Sequence, residues 1–169
     1  MKVRRILGLD PGLRNTGWGV VDVKGNQLIH VANGVIVPDA LISVPERLAL
    51  LAEELEAILD QQHPEEAAVE GLFGNRDIVS SLKLGQACGI CLMLPARRQI
   101  PVAEYPPNVV KKAVTGSGHA RKAQVSLMIR QLMPKSSPQS DHAADALAVA
   151  VCHAHNSPIP TPVAGSSAA

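Results

Sequence analysis

"RRILGLDPGLRNTGWGVVDVKGNQLIHVANGVIV", residues 4–37, holds three apolar stretches separated by turn signals, and its reading decides how the rest of the chain is taken. Residues 4–10 make an apolar run of strand length that ends on Asp10, and residues 16–23 and 28–37 have the same strand character. The KGNQ between the last two is a turn, so the segment reads as a three-stranded meander. Between the first two strands lies the loop DPGLRNTGWG, whose Gly12, Gly17 and Gly19 permit a tight turn and the close approach of a phosphate to the backbone.

Outward from this meander the pattern changes period. Ser43 and Glu46 form a capping box ahead of Val44, Leu48, Leu51, Ala52, Leu55, Ile58 and Leu59, which recur at helical spacing over residues 43–62. A short buried strand over 66–73 presents Glu70 near its end, and Asp77 is placed to cap the helix that follows. That helix, IVSSLKLGQACGICLMLPARR, is apolar almost all round. This implies burial on more than one side, and Gly85, Ala87 and Gly89 suit either the core or a contact with a second copy of the chain. A fifth strand over 100–105 and helices over 107–114, 120–133 and 141–155 complete an α/β domain with one mixed sheet, occupying residues 1–155. From 156 to 169 the chain is Pro, Ser, Ala, Thr and Gly with little to bury, and a disordered tail is expected.

Composition narrows the class. A chain of 169 residues that is 46% hydrophobic and 18% charged suits one core and is short for two. No opening leader is evident and no apolar stretch is expected to reach about 18 residues, which points to a cytoplasmic protein. Cys88, Cys91 and Cys152 are an odd number, against a disulfide framework. With His155 they could make a zinc site on paper, but they sit in apolar helical patterns where cysteine packs as a small hydrophobe.

The net charge of +1 says little, whereas its distribution is uneven. Between Glu46 and Glu70 there are eight acids against Arg47 alone, and between Tyr105 and Ser140 there are none. The acid-free stretch carries Lys111, Lys112, Arg121, Lys122, Arg130 and Lys135, which suits a phosphate backbone as well as a solvated basic face. Its TGSG segment adds Gly116 and Gly118 as sources of free backbone donors for phosphate.

The candidate chemistry lies in three acids. Asp10 and Glu70 at strand ends and Asp145 near a helix start are distant in sequence but can meet at one edge of a mixed sheet. Hard divalent cations need clustered oxygen ligands of this kind. Each acid alone also serves as a cap or a solubilising charge. Asp141, His142 and Asp145 share about a third of one helix circumference, with Asp145 in the middle. Asp141 follows Ser140 at the helix start, where the helix dipole and free N–H groups already favour a carboxylate. His142 has no such simple explanation. There is no G-x-x-x-x-G-K-[ST], so no nucleotide P-loop.

Taken in order, LGLDPGLRNTGWGVV, VEGLF, LKLGQACG, VVKKAVTGSGHARKAQV and HAADALAVAVCH resemble the successive motifs of the RuvC family of Holliday junction resolvases, from about residue 3 to 155. The resemblance implies a ribonuclease H-like fold, a five-stranded mixed sheet flanked by helices, in a homodimer. It implies Mg²⁺-dependent cleavage of two like-polarity strands of a four-way DNA junction during recombination and repair; the clustered acids suit two-metal hydrolysis, and the imidazole nitrogen of His142 makes Mn²⁺ an expected substitute. The branch-migration proteins RuvA and RuvB are the implied partners. Asp10, Glu70 and Asp145 match acidic catalytic, metal-holding positions. His142 matches the fourth, where many members have aspartate. Lys111 and Lys122 match two functional lysines of the basic segment. Phe73, three residues after Glu70, matches an aromatic that engages bases at the junction, although a lone Phe also suits a core.

Three other readings compete. An ATP-dependent phosphotransferase of the actin and sugar-kinase type shares the strand, Asp and Gly/Thr hairpin, but uses two such domains. A non-catalytic DNA-binding module leaves the three acids without a purpose. A ribonuclease H-like enzyme acting on RNA is the nearest competitor.

Overall fold

The computed structural model describes residues 2–71, 77–138 and 140–157. The elements run β1 (Val3–Asp10), β2 (Thr16–Lys24), β3 (Gln27–Ile36), α1 (Val44–Gln62), β4 (Glu66–Glu70), α2 (Ile78–Arg97), β5 (Val102–Tyr105), α3 (Pro107–Thr115), α4 (Lys122–Leu132) and α5 (Asp141–Asn156). One five-stranded sheet has the order β3-β2-β1-β4-β5. The meander pairs antiparallel, while β1–β4 and β4–β5 are parallel. The expected mixed sheet flanked by helices is therefore present.

The two-residue alternation of a strand divides the core in two. Ile6 and Ala68 face α3, α4 and α5, whereas Leu7, Leu9, Ala67 and Val69 face α1 and α2. Each fully buried leucine contributes on the order of 1.5–3 kcal/mol. The capping box starts α1 as its sequence demands, with the Ser43 N–H donating to Glu46 Oε2 at 2.8 Å.

Helix α5 lies directly on the sheet because three strand glycines make room for it. A Cβ on Gly8 would stand 2.1 Å from the Ala146 carbonyl oxygen, one on Gly17 2.0 Å from that of His142, and one on Gly19 2.7 Å from the Leu147 side chain. This corrects the reading of Gly17 and Gly19 as openings for phosphate: helix α5 fills the space. Gly12 does serve a tight turn, since a Cβ there would meet the Asn15 carbonyl oxygen at 2.3 Å, and the buried Thr16 hydroxyl closes the loop by donating to the Gly12 carbonyl at 2.7 Å.

The far end of α5 is fixed by a buried polar cluster. Arg4 donates twice to Glu66, at 2.7 and 2.8 Å, and His153 Nε2 stands 2.8 Å from the same carboxylate. Arg4 holds the Glu66 carboxyl below its ordinary range and burial lowers the pKa of His153, so a neutral imidazole donates from Nε2 and accepts the Tyr105 hydroxyl at Nδ1, 2.9 Å away.

Several boundaries and one environment differ from expectation. β4 ends at Glu70, and β5 begins at Val102 because Pro101 has no N–H to give, although its carbonyl accepts from Ala67 at 2.9 Å. Helix α2 is buried on one side only: Ala87, Cys88, Cys91 and Leu94 enter the core, while Ile78, Val79 and Leu82 are 78, 61 and 65% exposed. Among the described residues nothing lies within 4 Å of a Cβ built on Gly89, so none of the described elements uses that opening. By length and composition alone, Ile78–Arg97 is also long and apolar enough to cross a membrane, contrary to the expectation of no such stretch. Residues 158–169, most of the expected tail, lie outside the described residues.

Candidate active site

The alternation that places Ile6 on the α5 face also places Asp10 there, and on β4 it places Glu70 beside Ala68. The parallel register pairs Leu9 with Val69, so the two carboxylates end adjacent strands at the same level. Gly17 opposes Asp10 across the β1–β2 ladder and receives the first turn of α5, which brings His142 and Asp145 over the same sheet end. The four residues expected to act together line one cavity of about 890 Å³, with Lys111 and Lys122 beside them.

Within the cavity His142 Nδ1 stands 3.2 Å from Asp10 Oδ2. Asp141, one residue earlier, is exposed and lies in the first turn behind the Ser140 cap, whose hydroxyl accepts the Ala143 N–H at 3.1 Å. The helix start explains Asp141 and the cavity takes His142. Lys122, the first residue of α4, brings Nζ to 3.5 Å from Asp145 Oδ2.

Electrostatics mark the acids as a strained group. Burial, then the neighbouring charge of Asp10, a hydrogen bond with it and the charge of Asp145 push the Glu70 carboxyl up to about 8, with Lys111 acting in the opposite direction. Burial also raises the Asp145 carboxyl, against the pull of Lys122 and His142. Three carboxylates that repel one another in a half-buried site are what a divalent cation relieves, and their hard oxygens are the donors that Mg²⁺ and Mn²⁺ take. Among the described residues no three His, Cys, Asp or Glu side chains stand together as a group that could hold a metal ion as they lie. The fit to a hard cation rests on the donor chemistry of Asp10, Glu70 and Asp145 and on the cavity that they share.

Other expectations are modified. Gly116 adopts φ +82° as the cap of α3 and its N–H donates to the Lys112 carbonyl at 2.9 Å, so this group is spent on the helix end and is no free phosphate donor. Cys88 and Cys91 lie in the core beneath α2 and Cys152 in the core on the other sheet face, so they make no zinc site. Phe73 lies outside the described residues. Three cations that the sequence reading did not single out also line the cavity: Arg14, Arg47 and Lys83. Only their scattered positions are visible in the sequence, with no shared period to join them.

Comparison with known proteins agrees with this geometry. The family model for crossover junction endodeoxyribonuclease RuvC matches residues 6–153. The crossover junction endodeoxyribonuclease RuvC of Rhizobium etli is 53% identical over 152 residues, 90% of this chain and 90% of the relative. That of Agrobacterium fabrum is 52% identical over 155 residues, covering 92% and 91%. Among solved structures, T. thermophilus RuvC in complex with a Holliday junction substrate superposes with a TM-score of 0.82 at 35% identity, over 89% of this chain and 93% of that one.

Proposed function

The chain belongs to the RuvC family of crossover junction endodeoxyribonucleases and resolves four-way DNA junctions by endonucleolytic cleavage, and we propose that Asp10, Glu70, His142 and Asp145 hold the divalent cations for it, Mg²⁺ or Mn²⁺. The observation that carries this assignment is the convergence of the four side chains at one sheet end, inside a cavity rimmed by lysines.

When bound, a pair of divalent cations supplies an activated attacking water and neutralises charge on the leaving oxygen. The protein's part begins with the carboxylates. Glu70 gives up its proton as the site fills, since a ligating carboxylate must be ionised. Asp10 and Asp145 complete the oxygen set from the two sides. His142 either ligates through nitrogen or orients Asp10 and handles a proton at the reacting oxygens. Lys111 and Lys122 hold phosphates of the scissile strand. Phe73, three residues beyond Glu70, stacks on a base opened at the crossover.

Paired nicks need two such sites. The exposed apolar face of α2, with Ile78, Val79 and Leu82, suits a homodimer in which each copy cuts one of two like-polarity strands. The nuclease unit occupies residues 1–155, and the protein works in the cytoplasm beside the branch-migration proteins RuvA and RuvB.

The test offers one preparation a synthetic four-way junction, a linear duplex of the same sequence and an RNA–DNA hybrid, each with and without Mg²⁺. Symmetric, Mg²⁺-dependent nicking of the junction alone is expected. Preferred cutting of the hybrid would move the assignment to RNA.

A further inference from the structure

We infer that Arg14, Arg47 and Lys83 form a second phosphate track, across the acids from Lys111 and Lys122, that holds the scissile strand on the other side of the cut. This rests on the nuclease reading above and adds to it a set of positioning residues.

The argument begins with the two layers. Lys111 on α3 and Lys122 on α4 come from the helices on the α5 side of the sheet, whereas Arg47 on α1 and Lys83 on α2 come from the opposite side. Arg14 sits in the β1–β2 loop at the sheet end. All five line the same cavity as Asp10, Glu70 and Asp145. A polynucleotide strand that crosses the sheet end from one helical layer to the other therefore meets cations, then the acids, then cations again. A single flank of lysines fixes one side of the scissile bond and leaves the other free to swing; two flanks set the phosphorus within reach of the carboxylates.

The three side chains are available for this. Arg14 and Lys83 are exposed and form no ion pair among the described residues. Arg47 donates Nε to the Ile42 carbonyl at 3.2 Å and a terminal nitrogen to the Ala40 carbonyl, which fixes the guanidinium in place without neutralising it. Acids dominate α1 elsewhere, and its one arginine lines this cavity together with Val44.

The test measures binding of a four-way junction in Ca²⁺, without cleavage, across a salt series. Arg14→Gln and Lys83→Gln should each weaken binding and make the log–log salt slope shallower by about 0.9, the change expected for one lost phosphate contact. Arg47→Gln should do the same, and Arg47→Lys, which keeps the charge, should stay close to wild type. Lys24→Gln, at the opposite end of β2, serves as the control and should leave the slope unchanged. Neutral methylphosphonates placed singly on each side of the cut then locate the track. Those on one side should cost the Lys83→Gln protein nothing further, and those on the other side should cost the Lys111→Gln protein nothing further. Unchanged slopes for Arg14→Gln and Lys83→Gln, or silencing of the same phosphates by Lys83→Gln and Lys111→Gln, would overturn the proposal. Failure of the wild-type protein to nick the junction in Mg²⁺ would instead strike the nuclease reading, a separate result, because the slopes need binding alone.

Discussion

His142 Nδ1 lies 3.2 Å from Asp10 Oδ2, although 132 residues separate them, while Asp141 beside it is turned to solvent. The imidazole belongs to the acid cluster and its neighbour belongs to the helix cap. His142→Ala should therefore lose junction cleavage by roughly 10- to 100-fold or more, the range for removing a group that ligates or orients a metal ligand. Asp141→Asn should stay within a few-fold of wild type. Because imidazole nitrogen suits Mn²⁺ better than Mg²⁺, Mn²⁺ should support cleavage at least as well. A dead Asp141→Asn enzyme with a nearly normal His142→Ala enzyme would reverse the assignment.

Glu70 provides a pH signature in the metal-free protein. Its carboxyl is raised from 4.5 to about 8 in the fold, so the folded state holds a proton that the unfolded state has released. The stability linked to this proton is full below 4.5 and is lost as pH rises to about 8. Thermal melts in chelator should show wild-type stability falling across that window and Glu70→Gln flattening the fall. At the upper end Glu70→Gln should be the more stable protein by on the order of 1 kcal/mol, or roughly 2–4 °C. Parallel pH curves for the two proteins would mean that the carboxylates do not repel one another as described.

Lys122 sits on Asp145 as an ammonium at 3.5 Å, with its side chain 63% exposed. With the ammonium in solvent and the Asp145 side chain 18% exposed, the pair is worth on the order of 1 kcal/mol, so the lysine can exchange the carboxylate for a phosphate. Lys122→Gln should bind the junction more weakly and with a shallower salt slope. In the absence of DNA, calorimetry should find its divalent-cation affinity unchanged or raised by no more than about fivefold, the equivalent of 1 kcal/mol. Weaker cation binding would show that Lys122 supports the metal site.

Gly17 separates packing from phosphate binding. A methyl there would press to 2.0 Å of the His142 carbonyl oxygen, so Gly17→Ala should cost about 3 kcal/mol, roughly 6–12 °C in melting temperature, by lifting α5 from the sheet. Normal stability with a loss confined to DNA affinity would return Gly17 to the phosphate role that its loop suggests.

These residues show how far the sequence could be read. Apolar runs of strand length bounded by turn residues within 4–37 are a local signal, so the meander and the placement of Asp10 at a strand end followed from them. Glu70 and Asp145 were legible as candidates because one ends a strand and the other lies near a helix start, and the order of five motifs joined them into one site. The role of Gly17 and Gly19 was not legible, because a glycine shows that something comes close and never what: the neighbour here is a helix 125 residues away from Gly17. The outer face of α2 failed for a related reason. Apolar residues all round a helix look the same whether the second partner is the chain's own core or another molecule. Arg14, Arg47 and Lys83 carry no common period, and only the folded sheet end gathers them.

The central claim is that Asp10, Glu70 and Asp145 act as metal-holding carboxylates at one site. Its most direct measurement takes Asp10→Asn, Glu70→Gln and Asp145→Asn and follows, in the same samples, binding of a four-way junction and its nicking across a Mg²⁺ titration. All three proteins should melt as cooperatively as wild type and bind the junction at least as well in chelator, since Asp10→Asn and Asp145→Asn remove carboxylates that repel phosphate and Glu70→Gln matches the protonated carboxyl of the metal-free fold, yet none should nick it at any Mg²⁺ concentration. Wild-type nicking by any of the three, or binding and nicking lost in equal proportion, would contradict the account.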